Sequence, residues 1–175
     1  MKHLILVIFS IFILSSTLVA EPTISSSGTF LEERFGDRIE IFGIKFKGPL
    51  VLCQILIAIL MAITFLQSAI DKIVDRKGNL AFFESHFATS PFNGFTSLLL
   101  SILTMMELMG GLMLVYGIYY AFAERATLWI FYGFVLLALT IIALFTGQRL
   151  AKDYVGAADL IPYFILLMMG IMSMY

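Results

Sequence analysis

One carboxylate interrupts a long apolar run. Glu107 sits near the middle of LLLSILTMMELMGGLMLVYGIYYAF, from Leu98 to Phe122. A charged side chain at the centre of a membrane helix costs about 2.5–3.5 kcal/mol on insertion scales. Such an acid must face protein, carry a proton, or hold a hydrogen-bonding partner. Two roles follow from that: a ligand, quinone or proton site, or a structural hydrogen bond that fixes helix register. Gly110 and Gly111 follow three and four residues later. On a helix they share the face of Glu107, and small residues let helices approach closely. The acid is therefore expected on the packed side of its helix, away from lipid.

A second polar group closes the preceding apolar run, at FLQSAIDKIVD, Phe65–Asp75. Gln67 and Asp71 are four residues apart, as are Ser68 and Lys72. Gln67, Ser68, Lys72, Glu107, Gly110 and Gly111 form the candidate ligand or helix-packing cluster. The plainer reading of Lys72 is a side chain that snorkels to the headgroups. Glu107 lies about 15 Å into its helix at 1.5 Å per residue. A direct pair with Lys72 then requires a sunken helix end or a bridging water. Thr64, Gln67 and Thr104 are the nearer candidate partners.

Other chemistries are poorly supplied. Cys53 is the single cysteine, so an internal disulfide or CxxC relay is excluded. His3 and His86 are the two histidines, one near the start and one in a polar connection. They do not offer the facing pair of a b-type haem, nor a multi-ligand zinc or iron site. The ten methionines, including LMMGIMSM, read as packing or lipid-facing residues rather than copper ligands. Glycine loops for phosphate, catalytic triads and HExxH are absent. The net charge of −1 gives no footprint for nucleic acid.

The elements that carry these residues are membrane helices. The chain is 61% hydrophobic and 13% charged, far from the roughly 45–50% and 25% of soluble domains. Four stretches meet the requirement of about 20 apolar residues: Pro49–Ile70, Thr96–Phe122, Ala126–Thr146 and Asp159–Tyr175. They are apolar all round, as lipid-immersed helices are. Within the third stand Tyr132, Thr140 and Thr146, and beyond it Gln148, Arg149 and Asp153. Tyr154 and Tyr163 suit an interfacial aromatic belt. A fifth apolar run opens the chain, MKHLILVIFSIFILSSTLVAEP, with Lys2 before it. It reads either as a secretory signal peptide with a poor cleavage site or as an uncleaved anchor helix.

The expected architecture is all-α: a four-helix transmembrane bundle over 49–175, preceded by a signal or anchor helix over 1–20. The segment 21–48 is read as an extramembrane linker. Its RIEIFGIKFKG has apolar residues near period two, which suits a short hairpin or an interfacial strip; a solvated juxtamembrane segment is the simpler reading. In Asp71–Gly94, RKGN is expected to turn, LAFFESHF to form a short headgroup-level helix, and Pro91 to begin the next span. Basic residues flank the core five against five, so charge assigns no orientation.

FLQSAIDKIVD and LTMMELMGGLMLVYG resemble the DoxX family of bacterial membrane proteins. The family's Ser–small–x–x–Lys pattern is matched by Ser68, Ala69 and Lys72. Its Glu followed by Gly-Gly and a Leu-rich run to Gly is matched by Glu107, Gly110, Gly111 and Gly117. The likeness covers about Leu50 to Tyr175. Ala69 stands where the family usually has glycine, and Met1–Gly48 is an addition. A cleaved signal would start the core from outside, opposite to the family's usual reading.

The resemblance implies a multi-pass protein of the bacterial inner membrane, linked to redox or oxidative-stress processes. Relatives include a small subunit of a thiosulfate:quinone oxidoreductase. No intrinsic cofactor is expected, so electrons would need a bound quinone or a partner's cofactor. The first functional expectation is a membrane subunit or scaffold, not a stand-alone enzyme, with a membrane or periplasmic oxidoreductase partner. Glu21–Gly48 and Phe82–Phe87 are its candidate contact segments, and oligomerisation is compatible with it. The alternatives are a quinone- or lipid-binding component using Glu107, and a small-molecule or proton transporter.

Overall fold

The computed structural model describes residues 39–41, 44–46, 48–124 and 126–174. The expected signal or anchor helix over 1–20, and most of 21–48, lie outside the described residues. Strands β1 (Ile39–Ile41) and β2 (Ile44–Phe46) form a short antiparallel hairpin. Ile39 stands opposite Phe46, Glu40 opposite Lys45, and Ile41 opposite Ile44. The hairpin alternative, rather than a featureless segment, is what the alternating Ile and Phe residues form.

Helix α1 spans Pro49–Val74, with Pro49 in its first turn, where the missing N–H costs nothing. It continues past Ile70 because Asp71–Val74 remain helical. Asp75 ends it and at once caps α2 (Arg76–His86) by accepting a hydrogen bond from the Gly78 N–H at 3.0 Å. That cap corrects one expectation: RKGN is the first turn of a helix rather than a reversal, while LAFFESHF is helical as expected as far as His86. Pro91 does not begin the next helix. Turns occupy 87–94, with Gly94 at φ +88°, and α3 runs from Thr96 to Glu124. A left-handed glycine cannot continue a helix without strain for other residues, which delays the start to Thr96.

Helix α4 follows at Leu128–Leu150. The fourth span begins at Tyr154, five residues earlier than expected, as α5 (Tyr154–Asp159) and α6 (Ile161–Met172). Asp153 caps α5 through the Gly156 N–H at 2.9 Å. Pro162, which has no N–H to donate, accompanies the break between α5 and α6 at Leu160.

The four spans pack in a ring. Helix α3 lies between α1 and α4, α4 packs on α6, and α6 closes back on α1. Neighbours run antiparallel: Gly110, Leu114 and Gly117 of α3 meet Leu137, Gly133 and Ile130 of α4 in reverse order. Met61, Leu114, Ile130, Phe134, Leu137 and Leu167 fill the interior. Between 17% and 39% of each span is buried, yet the outward residues are Leu56, Ile63, Leu112, Leu139, Ile165 and their like. An apolar exterior of this extent needs lipid as its solvent. By helix length and composition the chain is a multi-pass membrane protein.

Candidate functional site

Glu107 is 1% exposed, so the sequence expectation of a protein-facing acid holds. Its partner is Lys72. The Lys72 Nζ donates to Glu107 Oε2 at 2.9 Å and to Oε1 at 3.1 Å. It also donates to the Ser68 Oγ at 2.6 Å, one turn back on α1. The Lys72 side chain keeps 13% of its surface exposed, that of Glu107 only 2%. The ammonium thus has oxygen acceptors from two helices, and both carboxylate oxygens are occupied.

The direct pair, expected to need a sunken helix end or a bridging water, is reached through an offset of the two helices. Lys72 lies level with Glu107, and Leu66 level with Gly111. The C-terminal end of α1 therefore stops well inside the length of α3. Helix α2 and the turns after it occupy the space beside the first turns of α3, with which α2 packs. There the Arg76 guanidinium donates to Ser101 Oγ at 2.7 Å. This is the sunken helix end that a direct pair requires. The alternative partners turn elsewhere: Thr64 donates to the Leu60 carbonyl at 2.9 Å and Thr104 to the Leu100 carbonyl at 2.6 Å. Gln67 is exposed on the outer face of α1 and does not join the cluster.

The glycines divide between two seams. A Cβ on Gly111 would stand 2.7 Å from the Leu66 side chain of α1, whereas one on Gly110 would meet Leu137 of α4. So Glu107 and Gly111 face α1, while Gly110 serves the α3–α4 contact. The tightest backbone approach is at Gly117, where a Cβ would lie 2.7 Å from the Ile130 backbone nitrogen.

A cavity of about 330 Å³ opens between α2, α3 and α4. Phe82, Phe83, Phe87, Leu103, Met106 and Leu144 give it apolar walls, and His86 and Gln148 give it a polar edge. His86 Nε2 lies 2.6 Å from the Gln148 Oε1 and 3.8 Å from Asp153 Oδ2. Glu107 is not among the residues that line this space. Sequence reasoning placed the aromatic residues near the headgroups but missed the cavity, which needs α2 folded back against α3 and α4.

A further polar contact was also missed. Gln54 of α1 is 4% exposed and donates from Nε2 to the Ser173 carbonyl at 2.7 Å, joining the first span to the last. Its Oε1 has no partner among the described residues. An amide within the apolar run LVLCQILIAIL was the available signal, since a buried amide in lipid seeks a partner on a neighbouring helix.

Among the described residues no group of three or more His, Cys, Asp or Glu side chains could hold a metal ion. Cys53 is exposed. Compared with known proteins, the chain matches no family model, no curated protein and no solved structure.

Proposed function

We propose that this chain is a DoxX-like membrane subunit or scaffold of a bacterial inner-membrane complex with a redox or stress role, carrying no redox centre of its own. The observation behind this reading is the closed Lys72–Glu107 pair. Both carboxylate oxygens are taken by one ammonium at 2.9 and 3.1 Å, and the acid is sealed from solvent. A carboxylate so engaged is suited to fixing the register of α1 against α3, and poorly suited to receiving a quinone or lipid. Ser68, Lys72, Glu107 and Gly111, which carry much of the resemblance, gather on this one seam. On this reading the pattern marks a packing unit, and the chemistry belongs to a partner. Electrons would pass through that partner's cofactor or through a quinone bound elsewhere.

The test is gentle purification of the tagged full chain from its native membrane, followed by mass spectrometry. A stoichiometric oxidoreductase partner is the expected result. Recovery of the chain alone, with quinone lost on Glu107→Gln while the bundle stays folded, would replace this reading with the ligand-site one.

A further inference from the structure

We propose that the cavity between α2, α3 and α4 binds a ring-bearing amphiphile with a hydroxyl group, taken from the bilayer at headgroup depth. Its volume of about 330 Å³ lies at the lower end of the range for small-molecule sites, about 300–1,000 Å³. The inference uses none of the residues of the Lys72–Glu107 seam, although its cavity is lined in part by Phe82–Phe87, a candidate contact segment of the subunit reading.

The walls favour rings. Phe82 and His86 stack with centroids 5.3 Å apart, and His86 meets Phe87 edge-on at 5.1 Å. Phe87 in turn contacts Phe83 at 5.5 Å and Phe92 at 5.9 Å. Aromatic side chains so arranged present flat faces and edges that a ring complements better than a mobile acyl chain does. Met106 adds a polarisable thioether to the α3 wall.

The edge favours a hydroxyl. The contact between His86 Nε2 and Gln148 Oε1 at 2.6 Å makes Nε2 the donor and leaves Nδ1 an acceptor. Nδ1 has no partner among the described residues, whereas the Gln148 Nε2 lies beside Gly156 of α5. A hydroxyl can donate to Nδ1, while Gln148 fixes the tautomer that keeps Nδ1 an acceptor. The depth fits a bilayer source. Arg149, next to Gln148, lies 4.6 Å over the Tyr154 ring, a cation and an aromatic at the membrane boundary.

The experiment measures binding of 2-naphthol, with naphthalene as the hydroxyl-free control, to the full chain in nanodiscs of defined phosphatidylcholine. Empty nanodiscs supply the partition background. Saturable binding of one 2-naphthol per chain is expected, at least 10-fold tighter than naphthalene. Gln148→Leu should weaken 2-naphthol about 10-fold and leave naphthalene unchanged. Leu144→Trp, which fills the cavity, should abolish saturable binding of both. His86→Phe keeps a ring and should reproduce the loss seen with Gln148→Leu, so a folding defect in any one variant does not decide the matter. Equal, non-saturable uptake of both probes by wild type and Leu144→Trp would overturn the proposal. So would a phospholipid chain that holds the cavity against 2-naphthol.

Discussion

The two flanks of α3 solve opposite problems. Toward α1 it presents a carboxylate and a glycine, and the seam closes around an ion pair whose acid is 1% exposed. Between α2 and α4, near its N-terminal end, it presents Leu99, Ile102, Leu103 and Met106, and the helices stay apart around a cavity of about 330 Å³. The polar flank is filled; the apolar flank has room. In lipid, apolar side chains gain little by leaving their surroundings, so hydrogen bonding and close backbone approach draw helices together. The acid therefore sits on a closed seam.

Breaking the seam should have the largest effect. Lys72→Met or Glu107→Leu alone leaves one buried charge uncompensated, which costs about 3–5 kcal/mol. The double substitution should recover most of that loss, since two apolar side chains can replace a buried pair. Reversible denaturation in micelles, run as a double-mutant cycle, would read this directly. Additive losses would mean that Lys72 and Glu107 act separately. Raising ionic strength should change wild-type stability little, because salt screens buried pairs weakly.

Next in size is Gly117→Ala. The new Cβ would stand 2.7 Å from the Ile130 backbone nitrogen, and backbone yields less readily than a side-chain tip. Overpacking of this kind costs about 1–3 kcal/mol, to be read as a lowered unfolding midpoint. Gly147→Ala sharpens the contrast on the cavity side. Its Cβ would lie 3.4 Å from the tip of the Phe87 ring, so a shift within about 0.5 kcal/mol is expected. Equal losses at the two positions would remove the distinction between the closed stretch of the α3–α4 contact at Gly117 and the open stretch around the cavity.

Smaller still, Ser68→Ala removes the 2.6 Å acceptor from Lys72 and should cost about 1 kcal/mol. Asp75→Ala removes the cap on α2 at a similar cost, about 1 kcal/mol. The second substitution should also loosen the aromatic wall, visible as faster amide exchange across Arg76–His86 with the α1–α3 seam unchanged.

Much of this was legible in the sequence, for uneven reasons. The spans around Pro49, Thr96 and Leu128 stand out because 20 apolar residues allow few alternatives to a membrane helix. The burial of Glu107 followed from the cost of charge in hydrocarbon and from the glycines beside it. Its partner did not follow. Depth counted along a single helix assumes that neighbouring helices start and stop together, and α1 and α3 do not. The clue was local: Asp75 can cap a helix that starts at Arg76, which makes room for α2 and lets α1 end early. Gly110 and Gly111 looked equivalent in sequence, yet adjacent helical positions point about 100° apart, enough to serve different neighbours. The early start of the fourth span at Tyr154 was obscured by its polar first turn, which Asp153 caps.

The sunken end of α1 has a consequence for how the chain enters a membrane. Lys72 reaches its final depth only if an acid arrives to meet it, and that acid is 35 residues further along. A nascent chain that has emerged only through α2 carries an unmatched ammonium, which the headgroups can hold near the surface. Release of Glu107 from the ribosome then lets both polar groups enter together, at less cost than two separate insertions of about 2.5–3.5 kcal/mol each. The first two spans are in this sense one unit of membrane integration, with α2 as the slack that lets the earlier helix wait for the later one. Chains truncated before and after Glu107 should differ in how deeply Lys72 is shielded from a water-soluble amine reagent.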